Sequence, residues 1–114
     1  MWLPILGLLI GMVLGWFSPF SVPVEYSKYL SVAILAALDS VLGGVRAAQE
    51  NHFDSVIFLT GFFTNILLAG LLAYVGDLIG VDLFLAAVVA FGVRLFNNLA
   101  IIRRHLLKKW ESGE

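Results

Sequence analysis

Asp39 and Arg94 are the residues of this 114-residue chain best placed to do chemistry, because each interrupts an otherwise apolar segment. A carboxylate in hydrocarbon costs roughly 2.5–3.5 kcal/mol on insertion scales unless it is protonated, reaches water or meets a cation. Arg94 is the natural cation. Asp39 falls about ten residues into its segment and Arg94 about twelve into another that runs in the same direction, so their depths match. A guanidinium can engage a carboxylate through two parallel N–H···O bonds, and each charge relieves the other's desolvation. Thr60, Thr64 and Asn65, with Asn97 and Asn98, fall around the same level. Arg94, Asn97 and Asn98 share a helical face by i, i+3, i+4 spacing, and Gly61, Asn65 and Ala69 recur every four residues as a narrow face with one amide. Two uses of such a set are open. It is either a polar pocket for a proton, an ion or an anionic lipid headgroup, or a group of interhelical bonds that fixes packing and register.

No other constellation rivals this one. The chain has no cysteine, and His52 and His105 stand in a connection and a tail with no second ligand at useful spacing, so no metal site is expected. There is no phosphate-cradling glycine loop, zinc-helix motif or nucleophile elbow. Asp39 lacks a companion nucleophile, second acid or metal set, which points away from an enzyme and from any cofactor.

The elements that must position these residues follow from composition. The chain is 61% hydrophobic and 13% charged, against roughly 25% charged in an average soluble domain, and its mean hydropathy is +0.97. The first charged residue is Glu25, and a second charge-free run covers 55–76, enough at about 1.5 Å per residue to cross roughly 30 Å of hydrocarbon. The expected fold is an all-α integral membrane protein, one domain over 1–114, built as a compact bundle of four transmembrane helices. The spans are expected near 2–17, 29–47, 55–76 and 83–102, with a basic tail over 103–114. Pro19 and Pro23 punctuate the first connection, and GDLIGVD supplies the turn before the fourth span. The second span carries Asp39 and Arg46, so the alternative is three spans with that segment re-entrant or interfacial. With no Lys or Arg before Lys28, the opening segment reads as a retained helix and not a secretory signal.

Retained Lys and Arg mark the cytoplasmic side. Arg103, Arg104, Lys108 and Lys109 place the tail there, and with four spans Arg46 joins them, close enough to the boundary to snorkel out. The tail reads as topology-setting charge with Trp110 as an aromatic anchor, or as an interfacial helix in which Leu106 and Leu107 help bind an anionic leaflet. Gly7, Gly11 and Gly15 lie in register on one face of the first span and would let another backbone approach closely, within the chain or between copies. Gly76 and Gly80 repeat the spacing at a turn, where it carries little weight. A net charge of -1 gives no global attraction to nucleic acid.

The segments EYSKYLSVAILAALD (25–39), GGVRA (43–47), GFFTNILLA (61–69) and FGVRLFNNLAIIRRHLLKKW (91–110), with the opening MWLP, cover most of the chain. In these blocks it resembles the small basic protein family of bacterial membrane proteins. The resemblance implies an inner-membrane protein of Gram-positive type, often encoded beside cell-division and envelope genes, with no established activity and no catalytic residues to carry over. The chain departs from the pattern in being slightly acidic, with a pI near 6.1, which puts in doubt any role that depends on a long basic tail. The expected partners are the lipid bilayer, a second copy, and envelope or division membrane proteins. The leading expectation is a protein that acts by helix association, with the Gly7/Gly11/Gly15 face assembling and Asp39/Arg94 fixing the bundle. The alternative is a small carrier or channel subunit that binds a proton, ion or lipid headgroup at the charged pair.

Overall fold

The computed structural model describes residues 2–111, with side chains from Ile5 onward, and these residues form four helices with no strand among them. Helix α1 spans Trp2–Phe17, α2 Val24–Gln49, α3 Ser55–Ile79 and α4 Leu83–Glu111. Local chemistry sets most of the ends. Pro23, fixed in φ and lacking an N–H, precedes α2. The Asp54 side chain caps α3 by accepting from the backbone N–H groups of Val56 and Ile57 at 2.9 and 3.1 Å. Gly80, at φ +75°, supplies the left-handed residue that ends α3, and Asp82 accepts from the Leu85 N–H at 3.0 Å as α4 begins. The tail expected after residue 102 is a continuation of α4 as far as Glu111, and 112–114 lie outside the described residues.

The compact bundle is made by α2, α3 and α4, with α2 packed on both partners and α3 meeting α4 less extensively. Its core is built from small and medium side chains: Val32, Ala36, Ala69, Ala73, Ala87 and Phe91, flanked by Tyr29, Ile66 and Phe84. Alanines at these positions bring the backbones close, which is how helices associate where lipid removes the hydrophobic driving force. The outer surface is the reverse of a soluble protein's. Phe63, Leu67, Leu71 and Phe96 are each 57% or more exposed, a surface suited to hydrocarbon. Helices α2, α3 and α4 are long and apolar enough to cross a membrane.

The surroundings of the two glycine sets differ. A Cβ on Gly76 would meet the Val81 carbonyl oxygen at 2.6 Å and the Leu83 Cβ at 2.9 Å, so the α3–α4 turn folds back onto a position that admits no side chain. Gly76 by itself, not its spacing from Gly80, is therefore a steric requirement, because the backbone occupies the space. On α1 the opposite holds. Gly7, Gly11 and Gly15 have open space around them, and α1, 16 residues and about 24 Å long, leaves its apolar side chains largely exposed instead of packing along the bundle.

At the end of the bundle near the start of α2, Lys28 Nζ lies 2.6 Å from Asp77 Oδ1 and over the Phe84 ring, and the Tyr29 hydroxyl donates to Asp77 Oδ2. These contacts fasten α2 to α3.

Candidate functional site

Because α2 and α4 run parallel, equal depth along one becomes proximity to the other. Asp39, fully buried, lies with its Oδ2 3.5 Å from Arg94 Nη2, while its Oδ1 accepts from Asn98 Nδ2 at 3.3 Å. The structure thus brings Asp39, Arg94 and Asn98 together. Oδ2 accepts no hydrogen bond, so the Arg94 contact is electrostatic and not a bidentate fork. Arg94 itself remains 59% exposed.

Asn97 does not join them. One residue is a rotation of about 100°, so when Asn98 is buried against α2 its neighbour faces outward, and the shared face with Arg94 ends at Asn98. Asn65 enters from α3, donating to Ser40 Oγ at 3.2 Å, whereas Thr64 is exposed and Thr60 bonds to carbonyls of its own helix. Gly61 packs against no helix, lining instead an open cavity of about 190 Å³ with Asp39, Ser40, Gly43, Asn65 and Arg94. That cavity runs between α2 and α3 as far as His52, Phe53 and Asp54 in their connection.

The polar set extends further than the sequence indicates. Arg46 does not snorkel outward: its Nη1 donates to Asn98 Oδ1 and its Nε to Glu50 Oε2, both at 3.3 Å. His105 Nε2 lies 3.2 Å from the same Glu50 oxygen, and Gln49 donates to the Ile102 carbonyl at 3.3 Å. Asp39, Asn98, Arg46, Glu50 and His105 therefore make one seam between α2 and α4, from mid-span to the helix ends. The hydrogen bonds from His105 and then Arg46 hold the Glu50 carboxyl below its usual range. A depressed carboxyl stabilises the fold fully above its unfolded pKa and loses that contribution as pH falls through the folded one. Glu50→Gln should therefore flatten the loss of thermal stability on acidification below about pH 4.5, measured by helicity melts in detergent. An acid limb as steep as the parent's would refute the assignment.

Arg103 and Arg104 lie on α4 beside His105, and Lys108 and Lys109 on its last turn beyond the seam, where Trp110 is 83% exposed. No group of three or more His, Asp or Glu able to hold a metal occurs among the described residues.

Fold and seam together define a small polytopic helical protein with three membrane-length helices and a buried carboxylate paired with a partly exposed arginine. The chain belongs to the family described as "Protein of unknown function (DUF1290)", which matches residues 22–107. It is 54% identical over 110 residues to the "Small basic protein" of Bacillus subtilis, covering 96% of this chain and 91% of that relative. Uncharacterized proteins of Mycobacterium bovis and Mycobacterium tuberculosis are 44% identical over 104 residues, covering 90% of this chain and 86% of each relative. No solved structure matches the chain. The family match spans the three bundle helices as far as residue 107 and begins after α1. The relatives' names state no enzymatic activity.

Proposed function

We propose that this protein acts by association within the bacterial cytoplasmic membrane, as a scaffold or accessory subunit of envelope or cell-division machinery, with the basic end of α4 on the cytoplasmic side. The observation that carries the reading is α1. A 16-residue apolar helix with three glycines in register, open space at each glycine and no packing along its own bundle has the form of a helix that meets another chain. The orientation rests on Arg46 and the four cations of 103–109, which gather at one end of the parallel α2–α4 pair. In this reading the Asp39/Arg94 pair holds the bundle together while α1 engages the partner.

Gly11→Leu puts a branched side chain at the centre of the close-approach face and should weaken association roughly tenfold or more, about 1.4 kcal/mol. Cysteine-free crosslinking and blue-native electrophoresis of the full chain in mild detergent read this directly. A parent that runs only as monomer and captures no membrane protein, unchanged by Gly11→Leu, would refute association.

A further inference from the structure

We propose that the cavity between α2 and α3 is a one-sided aqueous vestibule that carries protons to Asp39 from the α2–α3 connection. This is independent of association through α1, since α1 lines no part of the cavity.

Three observations carry it. Asp39 stands at the cavity wall, fully buried, with an Oδ2 that accepts no hydrogen bond, and an unfilled carboxylate acceptor is costly in a bundle interior. Among the described residues the charged group near that oxygen is Arg94 at 3.5 Å, whose side chain is more than half exposed and lines the same cavity. Arg94 thus stands both beside Oδ2 and on the cavity wall, where its side chain has room to move. Third, the cavity has polar groups at both ends, Ser40 and Asn65 beside the carboxylate and His52 and Asp54 at the connection, and Gly61 keeps its middle open along the Phe58 and Phe62 wall. About 190 Å³ holds several waters with polar partners.

The chemistry of the site selects a proton over other occupants. An anion drawn to Arg94 would sit against the Asp39 carboxylate, and a metal cation drawn to Asp39 would sit against the guanidinium. A proton meets neither objection: the carboxylate takes it from cavity water and becomes a neutral acid. The pair then passes from neutral to a single positive charge, borne by Arg94 facing the water. The groups that face Asp39 are Arg94 and Asn98 from α4 and Asn65 from α3 beside Ser40, with Arg46 two turns along α2 held by Asn98 and Glu50. His52 and Asp54 stand at the mouth.

The test uses the full chain in liposomes and two readouts. The chain has no native thiol, so single cysteines report without background. Gly61→Cys should react with a charged, membrane-impermeant thiosulfonate from the side on which Asn51→Cys in the connection reacts. Phe63→Cys, two residues away on the outer face, should not. Gly61→Cys as inert as Phe63→Cys would overturn the vestibule. Dicyclohexylcarbodiimide, which couples to protonated carboxyls in apolar surroundings, should label the parent at Asp39, located by peptide mass mapping. Labelling should fade about tenfold per pH unit on the alkaline side of the titration. No adduct at Asp39 at any pH, or an adduct indifferent to pH, would overturn proton binding without recourse to an Asp39 variant.

Discussion

Arg94→Leu is expected to destabilise the bundle by about 3 kcal/mol, the low end of the cost of breaking a buried pair because Arg94 is itself partly exposed. The cost falls on the residue that remains. Asp39 is fully buried, its Oδ1 is held by the Asn98 amide, and its Oδ2 loses the one charge near it. Asp39→Asn is expected to cost less, about 1 kcal/mol, since the cation it strands lines an open cavity. This inequality separates an ion pair from two independent polar residues. Asp39→Asn added to Arg94→Leu should cost about 2.5 kcal/mol, less than the sum of the two, a coupling of about 1.5 kcal/mol. Loss of helicity on titrating a denaturing detergent into mixed micelles measures all three. Additive single effects would show that the pair is not a unit. A double variant that regains stability yet fails to complement in cells would show that the charges do more than hold the bundle.

Gly76→Ala should be nearly as damaging, about 2–3 kcal/mol, although it adds a single methyl group. The methyl would stand 2.6 Å from the Val81 carbonyl oxygen and 3.0 Å from the Leu83 backbone nitrogen, so the α3–α4 turn must move as a whole. Gly70→Ala and Gly92→Ala are the controls. Both lie within helices with nothing inside 4 Å of the added carbon, and they should be neutral or stabilising by up to about 1 kcal/mol through helix propensity. Detergent-unfolding midpoints for the three variants decide the matter, and equal effects would show that the turn does not close over Gly76.

How much of this was legible beforehand depends on which residues are asked about. Membrane class, helix number and the nearness of Asp39 to Arg94 follow from charge scarcity and from counting residues along parallel helices. The choice between Asn97 and Asn98 does not, because adjacent residues differ by about 100° and only the actual rotation of α4 turns one inward. Glu50 and His105 sit at or beyond the ends of the hydrophobic stretches, where an ionisable residue draws no attention, and meet only because α2 and α4 overrun them together. The demand at Gly76 was hidden for a different reason. It comes from the path of the backbone at 81–83, which a spacing pattern does not encode. The separation of α1 was likewise unreadable, since a glycine stripe says that a close neighbour is possible and not where it comes from.

Helix α2 is tied near both ends: Lys28 and Tyr29 hold it to Asp77 on α3, with Lys28 also over the Phe84 ring of α4, while Glu50, just past its last turn, meets His105 on α4. A beam pinned near each end slides along its neighbours only by breaking a pin. With both pins intact, a rearrangement that follows a change of charge at Asp39, midway between them, takes the form of bending or rolling of α2. Motion of that kind widens or narrows the gap to α3 and leaves the vertical register of the bundle intact.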